Sequence, residues 1–260
     1  MVQVQKPHVR DALLLAAAQT FAELGFEATT MADVAARAGS SIGNLYKYFA
    51  SKQQLFDAAV PAELVHELSR RTGVRMRAFG TARDVRELAE GAPYHALAGE
   101  LLDYCLAHRA AVVVVLARAE GTPYAAFSGQ FAEQLTAWSL DYARSAYPQL
   151  EPSPAFCFVL RRAYRSFIAA VAEALQAFPT EADARAVIAL LTTNHQGGLK
   201  RLFETQGGVD AQSQNPDEPS VREHTARPRA RDARATRADS RSAEPRAGQA
   251  DRPRRARRRR

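Results

Sequence analysis

The chain has 260 residues, 47% hydrophobic and 24% charged, an ordinary composition for a globular protein of one large or two smaller domains. No apolar run approaches the roughly 18 residues a membrane helix needs, and Met1–Lys6 lacks a secretory apolar core, so a cytoplasmic location without a membrane partner is expected. Two cysteines, Cys105 and Cys157, exclude a disulfide scaffold and a multi-cysteine zinc module.

The net charge of +7 is unevenly placed: residues 1–204 balance 20 basic against 20 acidic side chains, and residues 205–260 hold 15 arginines and 8 acids. Apart from Val209 and Val221 this tail has almost no large apolar residue. Such a segment buries too little surface to offset its conformational entropy, which predicts disorder. The folded part is expected to end near Phe203.

Within 1–204 the periodicity is helical, which predicts an all-α fold. Leu14, Ala17, Ala18, Phe21 and Leu24 form a first apolar stripe. Val34, Ala35 and Ala38 form a second, and Ile42, Leu45 and Phe49 a third. Phe56, Val60, Leu64 and Leu68 form a fourth, which Pro61 should kink or break. Further helices are expected near 82–90, 94–108, 110–119, 123–146, 154–178 and 181–203, with Gly197-Gly198 weakening the last. Val112–Val115 has strand propensity but no second strand candidate to pair with, so it is assigned to helix. Thr30-Met31-Ala32-Asp33 and Ser51-Lys52-Gln53-Gln54 carry the spacing of capping boxes.

The helical patterns at 30–38 and 41–47 are separated by Gly39-Ser40, the spacing of a helix-turn-helix. By spacing alone an ordinary helical hairpin fits equally well. Ser40, Ser41, Gly43 and Asn44 are small or polar, as a helix entering a major groove about 12 Å wide requires. Asn44 has the chemistry to read adenine.

The run Gly25-Phe26-Glu27-Ala28-Thr29-Thr30-Met31-Ala32-Asp33-Val34-Ala35-Ala36-Arg37-Ala38-Gly39, continued by Ser41, Gly43, Leu45, Tyr46, Tyr48, Phe49, Ser51 and Lys52, resembles the TetR family of bacterial transcriptional regulators over about residues 10–57. Ser40 departs from it, because the family usually has Val or Leu there. The resemblance implies a three-helix DNA-binding domain over 1–55, a helical effector-binding and dimerisation domain over 56–204, and then the Arg-rich tail 205–260. It places a recognition surface at Ser41, Ile42, Asn44 and Tyr46, beside Ser40. It matches Tyr46, Tyr48 and Lys52 to phosphate contacts, with Lys47 as a further candidate and Thr30 opening a helix whose N–H groups can hold a phosphate. Core packing is the alternative for Ile42, Tyr46 and Tyr48, and plain solvent exposure for Lys52. A double-stranded DNA operator, a small-molecule effector, a homodimer and repression relieved by the effector are the implied partners and mode.

Beyond residue 56 the signals are weaker. Phe156, Leu160, Ala163, Phe167, Ala170, Val171 and Ala174 share a face, as do Val187, Leu191 and Asn194. These are either the domain core or, as the resemblance implies, a dimer seam. Effector-pocket candidates are Tyr104, His108, Phe131, Trp138, Tyr142 and Tyr164. Cys105 and His108 stand three apart without a third ligand, so neither metal nor cofactor is expected. No phosphate loop, nucleophile elbow or metalloprotease motif is present. The competing readings are an all-helical enzyme and a non-specific nucleic-acid coat acting through the tail.

Overall fold

The structure, a computed structural model, describes residues 7–212, and among these it contains ten α-helices, one 3₁₀ turn and no strand. The helices are α1 (Pro7–Leu24), α2 (Met31–Arg37), α3 (Ile42–Tyr48), α4 (Lys52–Ala59), α5 (Ala62–Arg77), α6 (Pro93–Ala107), α7 (Arg109–Ala117), α8 (Phe127–Ala146), α9 (Pro154–Ala177) and α10 (Glu181–Gln212).

The first five helices follow the expected stripes with two adjustments. In α1 Ala17, Ala18 and Phe21 of the expected stripe are buried, but Leu24 is exposed and the inner face extends to Leu13, Ala16 and Thr20 instead. Pro61 does not kink one long helix but separates two. Its extended backbone (φ −69°, ψ 152°) starts α5 directly after α4 stops, and a residue without an N–H suits that first position.

The later helices depart from expectation at their ends. Residues 82–90 form only the 3₁₀ turn Val85–Glu87. Asp84 accepts from the Arg86 N–H at 2.9 Å, pairs with the Arg86 guanidinium, and takes Lys200 Nζ of α10 at 2.7 Å. The segment is pinned to α10 by charge instead of continuing as helix. α8 starts at Phe127 rather than 123, after a turn in which Gly121 has φ +74°. α10 continues through Gly197-Gly198 to Gln212, so residues 205–212 of the expected tail are helical. Among the described residues Phe203 is the last that is buried, packed on Tyr147 and Phe156. The expectation for the remaining tail lies outside the described residues.

The valine run is helical and central. Val112 to Val115 lie in α7, each at most 2% exposed, and α7 packs on α1, α8 and α9. Burial on all sides outweighs the β propensity of four branched side chains. α1 therefore faces two ways, toward α2 and α4 and toward α7. Phe56 of α4 sits in the same joint. It is fully buried, with the rings of Phe21, Phe26 and Tyr124 at 5.3, 5.1 and 6.2 Å. The domain boundary expected at residue 55 thus falls inside a helix that belongs to this joint.

Truncating Phe56 removes the ring that all three others touch. Phe56→Ala should cost about 3–5 kcal/mol, read as a lowered urea midpoint with an unchanged slope.

Candidate functional site

The segment from Thr30 to Lys52 is set by local bonds. Thr30 and Asp33 form the reciprocal capping box: the Asp33 N–H donates to Thr30 Oγ1 at 3.2 Å, and the Thr30 N–H donates to Asp33 Oδ2 at 2.8 Å. Those bonds from Thr30 hold the Asp33 carboxyl below its ordinary range. The first helical N–H groups, of Met31 and Ala32, have no intrahelical acceptor and stay available to a phosphate. α2 ends with Gly39 at φ +61°, where the Ser40 N–H bonds to Ala35 O at 2.9 Å and the Gly39 N–H to Ala36 O at 3.1 Å. This pair of backward bonds needs a left-handed residue, so glycine is fixed there by geometry.

Ser41 caps α3 by accepting the Asn44 N–H at 3.1 Å. Only Leu45 of this helix is buried. Ile42 and Tyr46 are 46% and 49% exposed, and Ser41, Gly43 and Lys47 are exposed beside them. Core packing is therefore not the role of Ile42 or Tyr46. Tyr48 is half-buried against the core. Ser40, the departure from the family pattern, accepts from Asn44 Nδ2 at 2.9 Å. A Val or Leu at 40 has no acceptor for that amide, so the serine orients the base-reading candidate.

Lys52 has a different position from the one expected. Its ammonium donates to the carbonyls of Phe26, Glu27 and Thr29 at 2.8, 3.1 and 3.0 Å and lies 4.5 Å from the Phe26 ring centre. An ammonium has three N–H donors, and all are used. The residue ties α4 to the α1–α2 turn. The second capping box is also shifted. Ser51 accepts from the Gln54 N–H, but Gln54 Oε1 takes the N–H of Ala50.

The six effector candidates fall in four places. Phe131 and Trp138 line a cleft of about 430 Å³ between α5 and α8, with Gly73, Arg70 and Arg77 on the facing wall. A Cβ on Gly73 would meet the Trp138 ring at 2.9 Å, so the indole lies directly on the backbone of α5. The Tyr104 and His108 rings lie 4.6 Å apart, tilted to each other, with the Tyr104 hydroxyl donating to Leu64 O. Tyr142 packs on Phe79 and Phe203 and donates to Ala82 O at 2.6 Å. Tyr164 lies in the interior, bonded to Ser139 and edge-on to His195. Helical spacing aligned these residues along their own helices but could not tell which side each helix presents.

His195 was not among the candidates. Its ring is stacked on Phe167 at 4.3 Å, and its Nε2 is buried without a hydrogen-bond partner. Burial, and after it the charge of Arg75, push the imidazole down to about 4. A signal was available: His195 continues the apolar stripe of Val187 and Leu191 by one more step of four. No group of three metal-ligating side chains occurs among the described residues.

The expected dimer seam is also turned. Phe156, Leu160 and Ala174 are buried within the chain, and Phe167 packs on His195. The outward faces of α9 and α10 expose Phe158, Val159 and Leu190 at 63%, 47% and 72%. No described helix is long and apolar enough to cross a membrane.

A capped short helix, a glycine turn and a second short helix with one buried and several outward side chains define a helix-turn-helix of the DNA-reading type. Residues 13–59 match the model of the bacterial regulatory proteins, tetR family. It is similar to the HTH-type transcriptional repressor KstR2 of Mycolicibacterium smegmatis, 48% identical over 48 residues, a match covering 18% of this chain and 23% of that protein. Similar solved structures include a tetR-family transcriptional regulator from Streptomyces coelicolor (19% identity, 78% of this chain and 91% of that one, TM-score 0.30). NalD, the secondary repressor of the MexAB-OprM multidrug efflux pump in Pseudomonas aeruginosa, is another (16% identity, 72% and 94%, TM-score 0.36).

Two outcomes follow from these contacts. Lys52→Met should lower stability by about 1–3 kcal/mol, because carbonyls bonded to a charged donor lose it. Equilibrium unfolding without DNA measures this, and a variant as stable as wild type would return Lys52 to the phosphate role. For His195 the folded value near 4 lies below the ordinary 6.5, so the unfolded chain binds more protons between those values. Stability is complete above pH 6.5 and is lost as pH falls toward 4, by about 3 kcal/mol at most. His195→Phe should remove that part of the slope, measured by urea unfolding at pH 7.5 and 4.5.

Proposed function

We propose that the chain is a TetR-like transcriptional regulator that binds double-stranded DNA as a homodimer, represses, and is released by a small-molecule effector. The observation that carries this reading is the outward face of α3, where Ile42 and Tyr46 stand exposed beside Ser41 and Asn44 on a helix whose buried residue is Leu45. Major-groove edges with their thymine methyl groups are a fitting partner for such exposed side chains. Residues 1–55 are nearly neutral, five basic against four acidic. One such unit has little electrostatic hold on phosphate, and two units about one helical turn apart add their contacts. The outward Phe158, Val159 and Leu190 are the surface assigned to the second copy. A cytoplasmic location belongs to the same reading.

Binding to the DNA upstream of the chain's own gene and its neighbours, compared with random duplex, tests it. Asn44→Ala should cost about 1–3 kcal/mol on the selected site and little on random DNA, and Ser40→Val should share part of that loss. Leu190→Asp should yield monomers in sedimentation while leaving helix content unchanged. Equal affinity for all duplexes would favour a coating protein instead.

A further inference from the structure

α5 carries two arginines on the side facing the interior, and they are treated differently. Arg71 has Glu67 at 2.6 Å and Glu100 at 3.8 Å. Arg75, one turn on, has no ion pair among the described residues. Its Nη2 donates to the Tyr94 hydroxyl at 2.8 Å, its guanidinium lies 4.9 Å from that ring's centre, and its Nε is buried without a partner. Tyr94 is itself a shared acceptor, because Gln196 Nε2 of α10 donates to the same oxygen. That hydroxyl then has no acceptor for its own proton among the described residues.

His195 Nε2 is orphaned nearby, and Tyr164 and Ser139 satisfy each other. The charge of Arg75 reaches three interior groups. It adds to the burial that lowers His195, and it opposes the burial that lifts Cys105 and Tyr164 to about 12. Among the described residues no carboxylate pairs with the Arg75 cation, whose hydrogen-bond partner is the Tyr94 phenol. A half-buried charge whose buried Nε has no partner and whose Nη2 meets only a neutral phenol is poorly compensated.

The two guanidinium atoms at issue are adjacent on one edge: Nε is unused, and Nη2 is lent to a phenol. That edge is the one a carboxylate meets with two parallel hydrogen bonds. The Tyr94 ring lies against it with Phe79 5.2 Å from that ring, and Tyr164 and Phe167 pack on His195, aromatic neighbours for an apolar body.

We propose that Arg75 is the anchor of an effector site for a small organic carboxylate with an apolar body, in which the two carboxylate oxygens take Arg75 Nε and Nη2 and displace Tyr94 from the guanidinium. This rests on the effector reading above. It also assigns Tyr94 and Gln196 as the groups that occupy Arg75 when the ligand is absent. Because Tyr94 opens α6 and Gln196 lies on α10, displacing the phenol loosens a contact joining α5, α6 and α10.

The test uses the full chain and three matched pairs: benzoate, phenylacetate and octanoate, each against its own amide. Thermal shift and titration are run on wild type, Arg75→Met and Arg75→Lys, with operator binding followed in parallel. At least one carboxylate should raise the melting temperature, its amide should not, and Arg75→Met should bind about tenfold or more weakly. Arg75→Lys, which keeps the charge but not the two-bond edge, should fall between. Without ligand Arg75→Met should be at least as stable as wild type, since an uncompensated cation is removed; a merely structural arginine predicts a loss. Equal shifts by acid and amide, undiminished binding by Arg75→Met, or no shift by any carboxylate overturns the carboxylate site. An amide that binds and releases DNA would do so while leaving the effector reading intact. A carboxylate that binds through Arg75 without altering operator affinity would uphold the site and refute the effector reading.

Discussion

Phe56 has no solvent exposure and touches a ring from each direction that matters: Phe21 from α1, Phe26 from the α1–α2 turn, and Tyr124 from the loop before α8. The recognition unit is too small to hold its own orientation. α2 and α3 have seven residues each, below the length at which an isolated helix is stable in water. Their placement is inherited from α1 and α4, and theirs from this aromatic joint. Lys52 completes it by binding three carbonyls of the turn that Phe26 begins. Gln176 of α9 reaches across to Ala22 O at 3.1 Å, and Gly121 sits so close to Glu27 that a Cβ would meet its side chain at 2.8 Å. A movement of α8 or its preceding loop is therefore felt at the turn that starts α2.

The recognition segment was readable in the sequence because its determinants are local. A cap, its partner three residues on and a glycine at a left-handed position each act within five residues, and the structure contains all of them as bonds. The fold class was readable for a related reason, since helical periodicity survives any tertiary arrangement. What failed was rotation. Leu24 was placed inward and is exposed; Phe156 and Leu160 were left open between core and dimer seam, and are core. A stripe shows that a helix has an apolar side but not whether its partner is in the same chain. Lys52 illustrates the same limit: its three acceptors lie 23 to 26 residues away, and no spacing rule reaches them.

The effector half was the least legible part. Tyr104, Trp138, Tyr142 and Tyr164 were grouped by residue type, yet their polar atoms serve different neighbours. The residues that define the interior site, Arg75 and His195, were hidden by the opposite prejudice. Each is a polar side chain continuing an apolar stripe, Arg75 after Leu64 and Leu68, His195 after Val187 and Leu191. A charge on the inward side of a helix carries a desolvation cost that a surface charge does not, so such positions mark sites more sharply than aromatic content does.

The central claim is that α3 reads a major groove and that two copies do so together. Selecting bound sequences from a random duplex library, followed by footprinting of the winner, tests it most directly. The account predicts an enriched site with dyad symmetry, its two protected grooves about one helical turn apart, and loss of that enrichment when Ile42 and Asn44 are both replaced by alanine. A library that emerges unselected, or an enriched site unaffected by those two substitutions, would contradict it.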